Sequence, residues 1–406
     1  MKMKKKIFES NLRLTKLALL ASGIKISRTQ YRRSIEIFFD SYLYYLNLAW
    51  LYMDVVAEVQ WLIEGVLTGK NFIELSLAVP CITVSLLATS KSIFLYLNRV
   101  TVNKIIDQLR KIHPDRKDDL ATFAKDKTNE DVEVDIQEES ERFLRFVVLL
   151  LYYICAVVIC TFPMMPVISM AYDYHKTGKT ECKYPYLVKY FFDAYQKSLW
   201  PVVYIHHVIS TVIVGCNVFG SDSLFYAVCI YIQMHFRILC HRLENIVTQS
   251  REKTTEDLTN AVKRHQQLID LVDQVESLYT KSTLFNIVTS SVLICLSGFI
   301  ITMVADVSIV ISFVTFLFMN LSQISLLCFF GDMLMLSSTR VSSAVYNSLW
   351  YETDTRTKKS MLLILMRAQK PCKLTACKFA DLNLSAFTTI LSRSWSYFAL
   401  LKTMYK

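Results

Sequence analysis

Residues 284–330 read LFNIVTSSVLICLSGFIITMVADVSIVISFVTFLFMNLSQISLLCFF, and Asp306 is the single charged residue among them. A helix that crosses a bilayer needs about 20 predominantly apolar residues, so this stretch is long enough for two spans. Because Asp306 lies near its middle, we expect two helices joined by a tight hairpin at one membrane face.

The composition of the whole chain is typical of a membrane protein. Of its 406 residues, 53% are hydrophobic and 20% are charged, and the mean hydropathy is +0.33. With only 8 Gly and 7 Pro, the chain is unlike disordered or collagen-like sequences and unlike enzymes with glycine-rich nucleotide-binding loops. We therefore predict an all-α membrane protein.

Seven apolar runs are long enough to be transmembrane helices. Apolar sequence also resumes at residues 224–236, after Gly220, and could form an eighth span. The seven runs lie at residues 35–56, 72–97, 143–170, 200–219, 284–304, 307–330 and 379–404.

Lys and Arg predict the orientation, because cytoplasmic loops carry an excess of these residues. Seven spans with the N-terminus inside place 33 Lys and Arg in the inside segments and eight in the outside segments. An eighth span would move residues 237–283 outside and remove this asymmetry, so we predict one long helix over residues 200–245. The C-terminus is then outside, unlike the topology of rhodopsin-like G-protein-coupled receptors. The inside segments are 1–34, 98–142, 237–283 and 331–375.

The net charge of +10 is concentrated at the N-terminus, since residues 1–34 hold ten Lys or Arg and one acid, Glu9. The rest of the chain is nearly neutral and has no basic stripe interleaved with aromatic residues, which argues against nucleic-acid binding. Glu9, Arg13 and Lys16 interrupt the apolar run that a cleaved signal peptide needs. We predict instead a basic amphipathic helix that lies on anionic membrane lipids.

Two of the inside segments have different patterns. Residues 257–279 repeat apolar residues at helical spacing, which predicts a helix that packs against others. Residues 125–141 are highly charged, which predicts a solvated or partly disordered segment. We expect three domains: a basic helix at 1–34, a six-helix ligand-binding bundle at 35–330 with cytoplasmic extensions at 98–142 and 237–283, and an anchor helix with the seventh span at 331–406.

The spans lack the groups that catalysis needs, namely paired carboxylates, a nucleophile beside a base, or an HExxH helix. Cys372 and Cys377 do not have the spacing of a CxxC metal pair, and the cysteines inside the spans are expected to be free thiols. His206 and His207 are adjacent on a helix and point about 100° apart, so we expect that they do not chelate one ion together. We predict no enzyme activity, no cofactor and no metal.

A polar stripe runs along the last predicted span at spacings of three, four or seven residues, which keeps its members on one side of a helix. Two interpretations remain open. Small polar residues pack helices together in membranes, and a polar helix face also lines conduction paths. The stripe consists of Asp381, Ser385, Thr388, Ser392, Ser396 and Thr403.

The outer half of the bundle is the expected site for a small, uncharged, volatile ligand. Spans two, three, four and six supply apolar and aromatic side chains there, as small-molecule sites require. Ordinary helix packing explains any one of these residues equally well. The candidate ligand-binding residues are Ser85, Tyr153, Phe162, Met165, Tyr204, His207, Thr211, Phe313 and Phe316.

Five motifs in the chain resemble those of insect odorant receptors, and the resemblance is strongest in the last third. It extends to the whole chain in topology. The motifs are VKRHQQLID at 262–270, GDML at 331–334, AVYNSLWY at 344–351, RAQKP at 367–371 and SYFALLK at 396–402.

This resemblance implies a subunit of a tetrameric, ligand-gated, non-selective cation channel whose last helix lines the pore. Gustatory receptors usually carry Thr, Gln and Phe where this chain has Ser396, Thr403 and Met404. The olfactory coreceptor retains that Gln, so the chain resembles a ligand-tuning subunit. The implied partners are the coreceptor in a heterotetramer, a volatile odorant and membrane lipids, in the plasma membrane of olfactory sensory neurons. The implied gate residues are Leu400, Thr403, Met404 and Ser396.

Other classes of membrane protein remain alternatives. They are a gustatory-type channel subunit, a G-protein-coupled receptor, a solute transporter and a structural membrane protein. Transporters usually show internal repeats and broken helices, and neither is evident in this sequence.

Overall fold

The computed structural model describes residues 8–26, 34–113, 127–178, 181–248 and 250–405. In these ranges α-helices predominate, with one 3-10 turn at Trp350–Glu352 and one antiparallel hairpin of β1 Thr375–Ala376 and β2 Ala380–Asp381. The helices are α1 Arg13–Ala21, α2 Ser34–Leu67, α3 Phe72–Leu97, α4 Arg99–Ile112, α5 Lys127–Thr177, α6 Trp200–Glu244, α7 Arg251–Met303, α8 Val307–Asn347, α9 Thr355–Ala368 and α10 Leu384–Met404.

Every predicted span coincides with a helix, and among the described residues five helices are long and apolar enough to cross a membrane. They are α3, α5, α6, α7 and α8. α2 and α10, the predicted first and last spans, are less apolar. Acidic and polar residues such as Asn47, Asp54 and Glu58 lower the hydropathy of α2. Arg393 and a series of Ser and Thr lower that of α10.

The last span begins later than the predicted residue 379. The side chain of Asn383 caps α10 by accepting a hydrogen bond from the Ala386 N–H at 2.8 Å. Asp381 therefore does not belong to the polar stripe of this helix. It lies in β2 and forms an ion pair with Lys373 at 2.6 Å, because the chain turns through the hairpin before it enters the helix.

The long sixth helix confirms the prediction that residues 200–245 are continuous. Every residue from Phe219 to Ile232 is buried, because α5, α7, α8, α1 and α3 all pack against α6. A helix that is buried on all sides needs no polar face, which explains why apolar sequence resumes after Gly220. Residues 224–236 form the core of the bundle and not an eighth span.

The first helix packs into the bundle and does not lie on the membrane surface, although its basic amphipathic sequence had predicted a position there. Thr15 and Leu19 are each 1% exposed, and a Cβ atom added to Gly220 would lie 2.9 Å from the Leu19 side chain. Glycine at position 220 thus permits α1 to approach α6 closely. Residues 1–7 and 27–33 of the predicted basic segment lie outside the described residues.

For residues 125–141, the prediction of partial disorder is wrong for the part that is described, whereas Asp131, Asp135 and Glu138 are solvent-exposed, as the charge pattern indicated. Residues from 127 onward belong to α5. Arg242 of α6 donates two hydrogen bonds to the Glu133 carboxylate, at 2.7 and 2.8 Å, and Arg237 pairs with Glu139 at 2.6 Å. The acidic residues therefore stabilise helix packing. Residues 125 and 126 lie outside the described part.

α7 confirms two predictions. Leu258, Leu268, Val272 and Val275 are buried on the side that packs against the bundle, as the helical spacing indicated. At its other end, a short turn joins α7 to α8, and the Asp306 carboxylate caps α8 by accepting from the Ser308 N–H at 2.8 Å. We call the end of the bundle with this turn and residues 181–199 the outer end, and the end with α4 and α9 the inner end.

A buried ion pair joins three of the spans. Lys91 Nζ of α3 lies 2.6 Å from Asp222 Oδ1 of α6, and the side chains are 4% and 10% exposed. Gln323 of α8 donates from Nε2 to Asp222 Oδ2 at 2.5 Å. A buried charge is tolerated in a low-dielectric interior when it is paired and hydrogen-bonded, so these contacts fix the three helices relative to each other.

We expect Lys91→Met to lower the free energy of unfolding by about 3–5 kcal/mol, because it leaves the Asp222 carboxylate buried without its cation. The double variant Lys91→Met, Asp222→Leu should recover most of this loss, since replacing both charges with apolar groups is often neutral. The measurement is thermal unfolding of the purified protein in detergent.

The control is Arg237→Met, which removes an ion pair whose side chains are 29% and 60% exposed. This variant should lose about 0–1 kcal/mol, the usual contribution of a surface pair. Equal losses in Lys91→Met and Arg237→Met would show that the buried pair does not organise the bundle.

Candidate functional site

A cavity of about 320 Å³ opens at the outer end of the bundle. α3, α5 and α8 form its walls, and the segment that connects α5 to α6 forms its cover. Leu77 and Cys81 of α3, Phe162 and Met165 of α5, and Ile309 and Phe313 of α8 supply the apolar lining, and Tyr184 and Tyr186 close it from above. The volume lies in the range of about 300–1,000 Å³ that is usual for small-molecule sites.

A second, smaller cavity of about 40 Å³ lies beside the first. Cys81, Phe162 and Tyr186 line both, so these three side chains separate the two spaces. The Phe162 ring packs against Tyr186 at 5.4 Å and against Phe316 at 4.6 Å between centroids. A movement of Phe162 would join the two cavities into one.

Close contact of α5 and α6 forms the far wall of the smaller cavity. A Cβ atom added to Gly215 would lie 2.4 Å from Ile159 Cδ1, so glycine permits this approach. α5 also contains Pro163 and Pro166, which have no N–H group to donate to the carbonyls of Ile159 and Phe162 one turn earlier. The Tyr204 hydroxyl of α6 donates a hydrogen bond to the Pro163 carbonyl, and this contact connects the two helices near the larger cavity.

Neutral hydroxyl groups supply the polar contacts at the cavities. The Tyr186 and Thr211 hydroxyl groups share a hydrogen bond of 2.5 Å. Burial raises the pKa of Tyr184 to about 12 and raises the pKa of Tyr186 well above its ordinary value, so both phenols stay protonated. The Lys183 ammonium at the rim is paired with Asp173 at 2.7 Å. The Asp306 carboxylate also lines the larger cavity, where it is exposed and accepts a hydrogen bond from the Ser308 N–H. Between these charged groups the lining is apolar and the hydroxyl groups are neutral, which fits a small uncharged molecule with an apolar body and one hydrogen-bonding group.

Six of the nine predicted ligand-binding residues line one cavity or the other. Met165 and Phe313 line the larger cavity, and Ser85, Thr211 and Phe316 line the smaller one. Phe162 lines both.

The other three predicted ligand-binding residues lie elsewhere. Tyr153 is 65% exposed on the outside of the bundle, because its position on α5 faces away from α3 and α8. Tyr204 lies among the aromatic residues at the outer end of α6, where its ring contacts Trp200 at 4.9 Å between centroids. His207 is fully buried behind the cavity cover.

The covering segment belongs to the site, although none of its residues was predicted from the sequence to bind ligand. Tyr184, Tyr186 and Tyr195 line the larger cavity, yet they lie in the segment between α5 and α6 that has little regular structure. The signal that could have found them is the high density of Tyr in residues 171–199. Aromatic residues in a loop beside apolar spans are typical of a cover and not of a free loop.

A cluster of polar side chains lies next to the cover. His206 Nδ1 is 3.0 Å and His207 Nε2 is 3.6 Å from Asp54 Oδ1 of α2. The two imidazoles therefore approach the same carboxylate oxygen, although adjacent positions on a helix point about 100° apart. Each ring presents a different nitrogen, which compensates for the angle between adjacent positions on a helix.

The last helix exposes the residues that were assigned to the gate. Leu400 is 58% and Met404 is 69% exposed, and Thr403 and Ser396 are exposed as well. The opposite side of α10 packs on α7, where Phe398 lies 3.5 Å from the position of a Cβ atom on Gly298. The described chain thus leaves one face of α10 without a partner, and the polar residues Ser385, Thr388 and Ser392 lie on it.

Comparisons with known proteins agree with this architecture. The 7tm Odorant receptor family matches residues 71–394. Odorant receptor 67c of Drosophila melanogaster is 27% identical over 379 residues, which cover 91% of this chain and 89% of that protein. Odorant receptor 85b of the same species is 34% identical over 187 residues, 46% of this chain and 48% of that protein.

The fold is shared with a solved insect olfactory receptor, OR5 of Machilis hrabei in complex with eugenol. The TM-score is 0.81 at 15% sequence identity, and the alignment covers 99% of this chain and 98% of that one. This structural likeness shows the fold, and the all-α membrane architecture predicted from the sequence is confirmed. The family match covers most of the chain, from α3 to the last helix. The chain therefore belongs to the insect odorant receptor family, the 7tm Odorant receptors.

Proposed function

We propose that this chain is the ligand-tuning subunit of an odorant-gated, non-selective cation channel in the plasma membrane of olfactory sensory neurons. A volatile ligand binds in the outer cavities, and the pore is lined by α10. The observation that carries the proposal is the apolar space of about 320 Å³ within the spans, closed by neutral tyrosines. The structurally similar receptor OR5 was solved in complex with a small molecule, eugenol, which supports a ligand of this size.

The inner end of the chain supports assembly with other subunits. Leu362, Leu363 and Met366 of α9 are 55%, 68% and 59% exposed. α9 is a short amphipathic helix of the predicted cytoplasmic anchor, so lipid does not cover these side chains in the proposed topology. Large exposed apolar side chains outside the bilayer indicate a protein interface. We propose the coreceptor as the partner in a heterotetramer, with contacts at residues 245–279, at 350–374 and along α10.

The unpartnered face of α10 supports a pore. Ser and Thr along this face would contact water in an open channel, and Leu400 and Met404 would form an apolar ring near its outer end. Such a ring closes a pore by excluding water, since a hydrated cation cannot give up its shell to hydrocarbon. The three-domain division at 1–34, 35–330 and 331–406 remains part of this proposal.

Phe316→Ala should change which ligands are preferred, because it removes a wall of the smaller cavity. We expect the potency of larger ligands relative to smaller ones to rise by about tenfold, the effect of one or two methylene groups in an apolar pocket. The measurement is current evoked by a panel of uncharged volatile compounds in cells that express this chain with a coreceptor.

Phe318→Ala is the matched control for this substitution. Phe318 lies two residues away on α8 and is 61% exposed, whereas Phe316 is 6% exposed. The control should retain the original ligand ranking. If Phe316→Ala altered surface expression but left the ranking unchanged, the ligand would bind elsewhere.

Leu363→Glu should abolish assembly with the coreceptor, because a carboxylate would replace an apolar side chain in the proposed interface. Co-purification of the two tagged subunits from membranes measures the loss. Lys104→Glu serves as the control, since Lys104 is an exposed charged residue on α4, at the inner end but outside the proposed interface, and should tolerate the change. Unimpaired co-purification of Leu363→Glu, or large currents from this chain without a coreceptor, would refute the proposed partnership.

Leu400→Ser should raise the ligand-independent current, because a polar side chain wets the apolar ring. Leu400→Met keeps the ring apolar and should leave this current at its original level. Both effects should be partial, since one subunit supplies only part of the ring. The ligand-independent current is recorded from excised patches without nucleotides. A ligand response that needs nucleotide would favour G-protein signalling instead.

Thr403→Cys adds an independent readout of the same ring. Its thiol should react with aqueous reagents when ligand is bound, whereas Ser394→Cys, at a position that is fully buried against the chain's own helices, should not react. An unchanged leak in Leu400→Ser together with an inaccessible thiol at position 403 would assign this stretch to helix packing.

A further inference from the structure

Asp54, His206 and His207 lie where α2 and α6 meet the covering segment at the outer end. One ligand atom from each residue lies within 4.8 Å of the other two. The Asp54 Oδ1 atom is 3.0 Å from His206 Nδ1 and 3.6 Å from His207 Nε2. Zinc holds N and O ligands at about 2.0–2.2 Å in a tetrahedral arrangement, which corresponds to ligand–ligand distances of about 3.3–3.6 Å. The cluster therefore needs only small side-chain shifts to hold one ion.

The burial of the cluster favours the binding of a cation. Asp54 is 4%, His207 is 0% and Glu58, one helical turn beyond Asp54, is 1% exposed. Asp54 Oδ2 and Glu58 Oε2 accept no hydrogen bond from the described residues, and His206 Nε2 and His207 Nδ1 lack a partner there too. The Asp54 carboxylate is buried in a low-dielectric environment without a Lys or Arg partner in the described part of the chain, and a cation beside it would offset that cost.

We propose that Asp54, His206 and His207 bind a divalent transition-metal ion of the zinc class, with Glu58 as a further carboxylate close to the ion. Two imidazoles and a carboxylate suit such an ion, whereas Ca²⁺ and Mg²⁺ prefer all-oxygen sites. The ion supplies a positive charge beside the buried Asp54 carboxylate, and it joins α2 to α6.

The site is connected to the cavity cover through Tyr190. Its hydroxyl donates to Asp54 Oδ1 at 2.9 Å and lies 3.0 Å from His207 Nε2. A bound ion takes both of these atoms, so Tyr190 must give up its contact with the His207 nitrogen. The Tyr184 and Tyr186 rings pack edge-to-face with the same imidazole, each at 5.1 Å between centroids. Metal binding therefore shifts the segment that closes the ligand cavity.

Titration of the full-length protein in detergent with Co²⁺ tests the site, because Co²⁺ bound to imidazole and carboxylate ligands absorbs visible light. We expect one equivalent to bind and Zn²⁺ to displace it. His206→Ala and Asp54→Asn should each weaken binding by about 100-fold or more, since each removes a ligand. His175→Ala changes an exposed histidine at the end of α5. This variant should bind Co²⁺ with the same affinity as the unsubstituted protein.

Size-exclusion chromatography shows whether each variant is folded, and His206→Gln replaces His206→Ala if the latter aggregates. A second readout is the melting temperature, which Zn²⁺ should raise in the unsubstituted protein and in His175→Ala only. Failure of the unsubstituted protein to bind Co²⁺ would overturn the proposal. Binding that persists in Asp54→Asn and in the folded His206 variant would overturn it as well, because the ion would then lie elsewhere.

Discussion

The Lys91–Asp222 ion pair is the interaction on which the arrangement of the bundle depends. It is buried among the helices toward the inner ends of the spans, where a charge without a partner is strongly unfavourable, so the pair tolerates little change in the distance between its two helices. Through Asp222 it connects α3 and α6, and through Gln323 it adds α8. Further toward the outer end, α3 and α8 supply walls of both cavities, and α6 supplies a wall of the smaller one. One polar contact thus determines the spacing of helices whose apolar side chains form the site.

The cavities and the proposed gate residues lie on different helices, and α7 packs between them. The cavities lie among α3, α5, α6 and α8, whereas the proposed gate residues lie on α10. α7 packs against α3 and α8 on one side and against α10 on the other. Its residue Phe299 is fully buried and contacts both Phe72 of α3 and Tyr405 beyond α10, at 5.8 Å between centroids in each case. A change of shape at the cavity therefore has a packed route to the last helix.

Sequence patterns predicted the elements well and their surroundings less well. The length of residues 284–330 and the charge of Asp306 predicted two helices and a turn. A helix is favoured because backbone N–H and C=O groups inside a bilayer must be hydrogen-bonded within the protein. The distribution of Lys and Arg correctly favoured one long α6 over two helices. Periodicity cannot show what packs on a helix, and this is why α1 was expected on lipid and Tyr153 was expected in the pocket. Tyr186 and Asp54 reach their sites through the tertiary fold, and nothing in their local sequence indicates a partner.

The contact of Leu19 with Gly220 has a consequence for biosynthesis. The two residues meet in the folded chain, but about 200 residues separate them along it. At a synthesis rate of about 5–20 residues per second, roughly 10–40 seconds pass between the translation of α1 and the translation of its docking surface. During this interval α1 can contact α2, where Asn47 donates a hydrogen bond to the Ala21 carbonyl, but it lacks the helix against which Leu19 packs. α1 therefore reaches its final packing only after α6 has been made.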